Sequence, residues 1–309
     1  MRAREPDSSG YVDSSGARIY YEVFGSGTST LLFLPTWSLV HSRVWKLQVP
    51  YFARHYRVIV FDGRGNGKSS RPASADEYAQ GLFAKDALAV MDATTTPSAV
   101  MDGYSMGGLS LATLAVNYPQ RVDGAIFINP VAPFGKIPPK RAQYPFDEVL
   151  STTEGWAKHN KHYWRRDYDD WLNFFASQLF TEPHSTKQIE DVISWGKETN
   201  AEILIGTYEA NDLPEEPPGS RDESPGYYAR IRCPVLVILG SEDAVLPNSM
   251  GAGVAQATGG TVVTFEGGGH APHARHPVKA NILIREFVER CRSASGEARQ
   301  METNELSSL

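Results

Sequence analysis

Cysteine is scarce in this chain of 309 residues, which contains only Cys233 and Cys291. Cys233 opens an apolar, strand-like run and Cys291 ends a helical pattern, so two unpaired thiols are favoured over a disulfide bridge. Cysteine and histidine also do not occur at the spacing that is typical of zinc sites. The sequence therefore predicts a fold that depends on neither a disulfide nor a structural metal ion.

Long apolar runs are missing as well. A helix that crosses a bilayer needs about 20 consecutive apolar residues, and no stretch of this chain approaches that length. The first ten residues are polar and do not resemble a signal peptide, and we expect them to be disordered. Together with the scarcity of cysteine, these features predict a cytoplasmic protein with no membrane span.

The chain has no excess of basic residues. It contains 30 lysines and arginines against 36 acidic residues, which gives a formal net charge of −6. The basic residues are scattered among acids, so no nucleic-acid partner is predicted. A content of 41% apolar and 21% charged residues is typical of globular proteins, and the length suits one large α/β domain or two smaller ones.

What the sequence does contain is an alternation of apolar runs with helical repeats. The runs predicted as strands are Tyr11–Asp13, Ala17–Val23, Thr30–Leu34, Tyr56–Phe61, Ser98–Met101, Ala125–Ile128, Pro234–Leu239 and Thr261–Phe265. This order predicts an α/β fold with a mostly parallel central sheet flanked by helices. The core is expected to comprise residues 11–130 and 230–292, followed by a disordered tail at 293–309.

The alternation is interrupted between residues 131 and 229, which we interpret as a helical insertion. A stripe of apolar side chains at steps of three and four residues predicts one helix face there: Trp164, Tyr168, Trp171, Phe175 and Leu179. Such a stripe forms either the core of the insertion or part of a substrate pocket.

The segment Gly103-Tyr104-Ser105-Met106-Gly107 follows a predicted strand and precedes a predicted helix. Strand, tight turn and helix are the context in which Gly-x-Ser-x-Gly exposes a nucleophilic serine. The alternative is a glycine-rich turn in which Ser105 only caps the helix.

Two further residues at the ends of predicted strands suit this chemistry. Asp243 follows one strand and His270 follows the next, and the carboxyl ends of parallel strands meet at one edge of a sheet. His270 would take the serine proton and Asp243 would orient the imidazole. Glu242 competes with Asp243 for this role, and His273 and His276 compete with His270.

Here the chain resembles the α/β-hydrolase superfamily, in its serine-nucleophile branch with a helical cap. The resemblance rests on the Gly103–Gly108 turn, the Asp62–Ser69 loop, Gly240–Asp243, Gly269–Pro272 and His276-Pro277. It implies that residues 131–229 form the cap, that Asp243 is the triad acid, and that the Asp62–Ser69 loop is a structural turn in which Arg64 pairs with nearby acids.

The resemblance also implies an oxyanion hole built from two backbone N–H groups. Met106, which follows the nucleophile, is expected to supply one of them. The loop Pro35-Thr36-Trp37 is expected to supply the other, from Trp37 or alternatively from Thr36, although many family members carry His-Gly at this position. Thr36, Tyr104, Trp164 and Trp171 are predicted pocket residues, and Trp37 is either a pocket wall or a packed loop aromatic.

These observations predict a serine hydrolase that cleaves a carboxylic ester, thioester or lactone with an apolar part through an acyl-enzyme on Ser105. No metal or organic cofactor is required, and the sequence leaves monomer and homodimer open. Serine at position 105 argues against the epoxide-hydrolase and haloalkane-dehalogenase branches. Carbon–carbon hydrolases, cofactor-free perhydrolases, acyltransferases and non-catalytic ligand receptors on the same fold remain alternatives.

Overall fold

One sheet of eight strands lies at the centre of the computed structural model, which describes residues 3–210 and 224–306. The strands are Ser8–Ser14 (β1), Ala17–Phe24 (β2), Thr30–Phe33 (β3), Arg57–Phe61 (β4), Ala99–Tyr104 (β5), Val122–Ile128 (β6), Val235–Gly240 (β7) and Thr261–Phe265 (β8). Their order is β1-β2-β4-β3-β5-β6-β7-β8. Strands β1 and β2 are antiparallel to their neighbours and the other pairs are parallel, so the predicted fold class is confirmed.

Helices connect most of the strands, and six of them lie in the long connection between β6 and β7. They are Val49–Phe52 (α1), Gln80–Ala93 (α2), Gly107–Asn117 (α3), Pro139–Ala142 (α4), Lys161–Arg166 (α5), Tyr168–Leu179 (α6), Thr186–Gly196 (α7), Ala201–Glu209 (α8), Ser224–Tyr228 (α9), Ser249–Thr258 (α10), Pro272–Arg275 (α11) and Pro277–Leu306 (α12). Four short 3₁₀ helices span Ser42–Trp45, Ala75–Tyr78, Pro119–Arg121 and Gly155–Lys158.

Both ends of the described chain differ from the sequence expectation. Strand β1 begins at Ser8, inside the segment expected to be disordered, because residues from Ser8 onward pair in antiparallel register with β2. The closing helix α12 continues to Leu306, past residue 292, where the disordered tail was expected to begin. Residues 293–306 contain alanine, glutamate, arginine and glutamine, which have high helix propensity.

Helices α4 to α9 all fall within the insertion at residues 131–229, of which residues 211–223 lie outside the described part. The stripe predicted as one helix is divided at Asp167, which adopts a non-helical backbone between α5 and α6. Its side chain accepts a hydrogen bond from the Asp170 N–H at 3.1 Å and caps α6. Trp164 and Trp171 still stack across the break, with ring centroids 4.3 Å apart.

The loop that follows β4 is held by a buried ion pair. Arg64 and Asp86 are both fully buried, and the guanidinium donates two hydrogen bonds to the carboxylate at 2.9 and 2.7 Å. Arg64 therefore pairs with a nearby acid as expected, and the pairing ties the glycine-rich loop to α2, which contains Asp86.

The parallel register of β5, β6 and β7 places the ends of these strands side by side. Tyr104 is paired with Ile128, and Ile128 is paired with Ile238. The residues that follow these strand ends therefore share one edge of the sheet, beneath the insertion.

Two further findings concern the described residues alone. None of their helices is both long enough and apolar enough to cross a membrane. Cys233 is half-buried and Cys291 is buried, and no disulfide bridge joins them.

Candidate active site

Ser105 occupies a strained turn between β5 and α3. Its φ angle is 52°, in the left-handed region that non-glycine residues rarely adopt. The turn is tight because Gly103 and Gly107 approach closely, and a Cβ on Gly103 would lie 2.7 Å from the Gly107 carbonyl oxygen. Ser105 is half-buried, and its hydroxyl lies at the start of α3, the geometry that the Gly-x-Ser-x-Gly pattern predicts.

The structure brings Ser105, His270 and Asp243 together in one hydrogen-bonded chain. His270 Nε2 lies 3.0 Å from the Ser105 hydroxyl, and His270 Nδ1 lies 2.7 Å from Asp243 Oδ2. The side chains of His270 and Asp243 are each only 1% exposed. Because a carboxylate can only accept, Nδ1–H donates to Asp243 and Nε2 is left to accept the serine proton.

The Asp243 carboxylate is fixed by its own loop. Its second oxygen, Oδ1, accepts hydrogen bonds from the N–H groups of Val245 at 2.7 Å and Leu246 at 3.0 Å. The neighbouring Glu242 is exposed, so Asp243 is the acidic residue that points inward.

Two residues that the sequence analysis did not single out hold the His270 loop. Asn129 donates to the carbonyl oxygens of Gly269 at 3.1 Å and His270 at 2.8 Å, and accepts from the Gly240 N–H at 3.1 Å. Glu182, in the insertion, accepts from the Gly269 N–H at 2.8 Å. Asn129 directly follows the apolar run of β6, and this position at a strand end could have identified it from the sequence. No comparable sequence feature points to Glu182.

The two competing histidines lie elsewhere. His273 is fully buried on α11, and its ring packs against Tyr104 and Trp45 with centroids 4.6 and 4.8 Å away. Neither of its nitrogens has a hydrogen-bond partner among the described residues, and burial lowers the pKa of His273 to about 3. His276 precedes α12 and lies 3.7 Å from Glu182 Oε1.

The backbone N–H groups of Met106, Trp37 and Thr36 donate to no acceptor in the described part of the chain. Met106 is the first residue after Ser105 and caps α3, where the helix dipole favours negative charge. The loop with Thr36 and Trp37 passes close to this turn, because a Cβ on Gly107 would lie 2.7 Å from the Pro35 carbonyl oxygen. Both predicted oxyanion donors therefore flank the Ser105 turn.

A cavity of about 230 Å³ leads from Ser105 and His270 towards solvent between the sheet edge and the insertion. The predicted pocket residues Thr36 and Tyr104 line it, as does Trp37. Its other apolar walls are Leu39, Val40, Val44, Leu47, Phe175, Leu179, Phe180, Val192, Trp195, Val245, Ala271 and Ala274.

Trp164 and Trp171, the other two predicted pocket residues, do not line this cavity. Both are fully buried in the aromatic core of the insertion. Phe175 and Leu179, one and two turns further along the stripe on α6, do reach the cavity. The first part of the stripe therefore packs in the core of the insertion, and its last part lines the cavity.

Trp37 connects the core to the insertion. Its indole N–H donates to the Thr207 hydroxyl at 2.7 Å, and its ring contacts Trp164, Trp171 and Phe175 with centroids within 6 Å. It is thus both a packed aromatic and a wall of the cavity, so the two interpretations of this residue hold together.

Asp102 lies on β5, three residues before Ser105, and is fully buried. Neither carboxyl oxygen has a hydrogen-bond partner among the described residues, and burial raises the pKa of Asp102 well above its usual range. Burial without a hydrogen-bond partner disfavours the charged carboxylate at this position.

Comparison with known proteins supports this description of the fold. Residues 29–277 match the family model described as alpha/beta hydrolase fold. The chain is 28% identical over 227 residues to the 3-oxoadipate enol-lactonase 2 of Acinetobacter baylyi, covering 73% of this chain and 76% of that protein. It is also 28% identical over 290 residues to a putative non-heme chloroperoxidase of Synechocystis sp., covering 91% of this chain and 98% of that protein.

A solved structure gives the same result for the fold alone. A putative aryl esterase from Burkholderia cenocepacia superposes with a TM-score of 0.75 at 20% identity, covering 93% of this chain and 100% of that one. The strand order, the turn at Ser105 and the match over residues 29–277 lead to one conclusion: the chain belongs to the α/β-hydrolase family, and it is an enzyme of the hydrolase class.

Proposed function

We propose that this protein is a serine hydrolase that cleaves a carboxylic ester, thioester or lactone through an acyl-enzyme formed on Ser105. The observation that carries the proposal is the buried chain Asp243–His270–Ser105, with contacts of 2.7 and 3.0 Å, at the inner end of an apolar cavity. A serine hydroxyl is a weak nucleophile at neutral pH, and an adjacent oriented base is what activates it.

In the first step, Ser105 Oγ attacks the substrate carbonyl carbon while its proton passes to His270 Nε2. The imidazolium that forms is stabilised by the Asp243 carboxylate, 2.7 Å from Nδ1. Negative charge develops on the carbonyl oxygen, and the N–H groups of Met106 and Trp37 are the donors that we assign to it, with Thr36 as the alternative to Trp37.

In the second step, the bond to the leaving group breaks and His270 returns the proton to the departing oxygen or sulfur. A water molecule, deprotonated by the same nitrogen, then attacks the acyl-enzyme and releases the acid. No step of this sequence uses a metal or an organic cofactor. The apolar walls of the cavity favour a small-molecule substrate with a substantial apolar part.

Other reactions on the same triad lead to different products. An acid and an alcohol would identify an esterase, a cleaved diketone would identify a carbon–carbon hydrolase, and transfer to an added alcohol or amine would identify an acyltransferase. A relative is named as a chloroperoxidase and another as an enol-lactonase, so perhydrolysis belongs in the same screen. Ester and lactone hydrolysis is favoured over acyl transfer and perhydrolysis, because it needs only water in addition to the groups that line the site.

The experiment that tests the proposal measures hydrolysis of para-nitrophenyl esters of graded chain length and of medium-ring lactones. We expect turnover by the wild type and a loss of at least about a thousandfold in kcat for Ser105→Ala. A Ser105→Ala protein that hydrolyses the same ester at the wild-type rate would contradict the mechanism. Tight binding of a small molecule without turnover would point instead to a ligand receptor.

A further inference from the structure

The cavity that begins at Ser105 ends near solvent in three charged side chains, Lys46, Lys187 and Asp191, which we call the mouth cluster. Lys46 follows the 3₁₀ helix Ser42–Trp45 in the core, whereas Lys187 and Asp191 lie on α7 of the insertion. The side chains of Lys46 and Lys187 are 38% and 71% exposed. This exposure contrasts with the buried His270 and places the two lysines at the open end of the cavity.

The mouth cluster contains more positive than negative charge. Asp191 is 13% exposed; one carboxylate oxygen accepts from Lys46 Nζ and the other accepts from Lys187 Nζ at 2.7 Å. Burial acts to raise the pKa of Asp191, but the hydrogen bonds from Lys187 and Lys46 hold this pKa below its usual value. The carboxylate is therefore ionised, and two ammonium groups share a single negative charge.

Glu190 is the nearest further acid along α7. Asp191, together with Glu190, raises the pKa of Lys187, but Glu190 is exposed and does not line the cavity, so the cavity wall itself carries two ammonium groups and one carboxylate. The chain as a whole carries a net charge of −6, so any attraction of an anion to this opening is local. Lys46 Nζ also lies 5.6 Å from the centroid of the Trp195 ring, which keeps its ammonium group beside the apolar wall.

The arrangement of polar and apolar walls restricts where a substrate can carry charge. Between Ser105 and the mouth cluster the walls are aliphatic and aromatic, and an anion placed there would lose hydration without gaining a partner. At the mouth cluster, an anion would meet two ammonium groups that are fixed by Asp191 and remain partly open to solvent.

We propose that the mouth cluster is a binding subsite for a carboxylate that the substrate carries at the end remote from the scissile carbonyl. The substrate is then an ester, thioester or lactone with an apolar spacer and a terminal anionic group. This inference rests on the proposed function of Ser105. Because both lysines are partly exposed, the preference is modest: about five- to tenfold in kcat/KM, and weaker at high salt.

Matched substrates test the subsite without changing the reacting bond. The mono-para-nitrophenyl esters of suberic and sebacic acid carry a free carboxylate, and their methyl esters do not. The quantity to measure is the ratio of kcat/KM for each acid to that for its methyl ester. We expect the ratio to fall about five- to tenfold in a Lys46→Met/Lys187→Met double variant, and by less in each single variant.

Two further variants have opposite purposes: one is a control for loss of a remote charge, and the other is expected to raise the ratio. Lys85→Met removes an exposed charge from α2, away from the cavity, and should keep the wild-type ratio. Asp191→Asn removes the internal competitor for the lysines and should raise the ratio severalfold. A double variant with the wild-type ratio, or an Asp191→Asn variant with a lower ratio and a wild-type unfolding midpoint, would overturn the proposal.

The carboxylate can belong to the acyl part or to the alcohol part of the substrate. Acetyl esters of long ω-hydroxy acids, compared with their methyl esters, place the charge on the alcohol side. A lysine-dependent ratio in this series alone assigns the subsite to the alcohol part. If neither series responds to the lysine variants, the subsite proposal is wrong while ester hydrolysis stands.

A binding measurement separates this inference from the proposed chemistry. Monomethyl sebacate is titrated into Ser105→Ala and into the same protein with both lysines replaced by methionine. We expect weaker binding in the second protein, by about five- to tenfold. Equal binding would overturn the subsite, whether or not the wild-type protein hydrolyses any ester.

Discussion

Two histidine rings pack against Tyr104, and they differ in their supply of hydrogen-bond partners. The centroid of the His270 ring lies 5.1 Å from that of Tyr104 and the centroid of the His273 ring lies 4.6 Å from it, and both histidines are buried. Every ring nitrogen of His270 has a partner, whereas neither nitrogen of His273 has one among the described residues. Asp243 and Asp102 repeat the contrast, because the first is hydrogen-bonded on both oxygens and the second on neither.

This contrast teaches that burial alone does not make a titratable group suitable for catalysis. Burial without a partner disfavours the charged form of a group, which raises the pKa of Asp102 and lowers the pKa of His273. A buried group with partners on both sides can pass a proton between them. Asp102 and His273 are therefore expected to affect stability, and Asp243 and His270 are expected to affect the reaction.

The largest expected effect on kcat comes from the hydrogen-bonded pair, His270 and Asp243. His270→Gln should lower kcat for ester hydrolysis by about a thousandfold or more, because the serine loses its base. Asp243→Asn should have an effect of similar order, since the amide favours the wrong imidazole tautomer. Steady-state kinetics on a para-nitrophenyl ester measures both, and circular dichroism checks that the variants are folded. A loss of less than tenfold in both variants would contradict the assignment.

A smaller loss of kcat is expected from Asn129, which positions the His270 loop. Asn129→Ala removes two donors to the His270 loop and one acceptor for Gly240, and should lower kcat about ten- to a hundredfold with a small change in KM. Because Asn129 acts through His270, labelling of Ser105 by a fluorophosphonate should slow by the same factor. A variant that loses stability but labels at the wild-type rate would show that Asn129 supports the fold alone.

Asp102, which has no hydrogen-bond partner among the described residues, should affect stability and not activity. Its pKa is ordinary in the unfolded chain and raised in the folded one, so above about pH 4 the folded state retains a proton that the unfolded state has lost. The free energy of unfolding then falls by about 1.4 kcal/mol per pH unit until the folded pKa is reached. Asp102→Asn removes this slope, and urea unfolding at several pH values measures the difference.

His273 should show the opposite dependence of stability on pH. Its pKa is about 6.5 in the unfolded chain and about 3 in the folded one, so the unfolded state binds the extra proton between these values. Stability is therefore lost as pH falls below about 6.5. His273→Phe should remove this acid sensitivity and keep kcat within about threefold, with His273→Leu as a second variant against overpacking. An acid slope that persists in both variants would show that another group is responsible.

Much of the fold and part of the site could be predicted from the sequence, and the division has a physical basis. Ser105, Asp243 and His270 each follow an apolar strand directly, so local patterns and the geometry of parallel sheets suffice to bring them together. Glu182 acts across more than eighty residues of sequence on Gly269, and no local pattern encodes such a contact.

The aromatic stripe shows the same limit. Its spacing predicted one helix, whereas the structure divides it between α5 and α6. Trp171 is buried in the core of the insertion, whereas Phe175, four residues later, reaches the cavity. Which of the two lines a pocket depends on how the insertion sits on the sheet. The division of the stripe at Asp167 depends on a capping hydrogen bond that competes with continuation of the helix.

The measurement that tests the central claim most directly is the site and rate of labelling by a fluorophosphonate, followed by intact and peptide mass spectrometry. Wild type, Ser105→Ala, His270→Gln and His273→Phe are compared at neutral pH. The account predicts a single adduct on Ser105 in wild type and His273→Phe, none in Ser105→Ala, and labelling slowed at least about a hundredfold in His270→Gln. An adduct on another residue, or equal slowing by the two histidine variants, would contradict it.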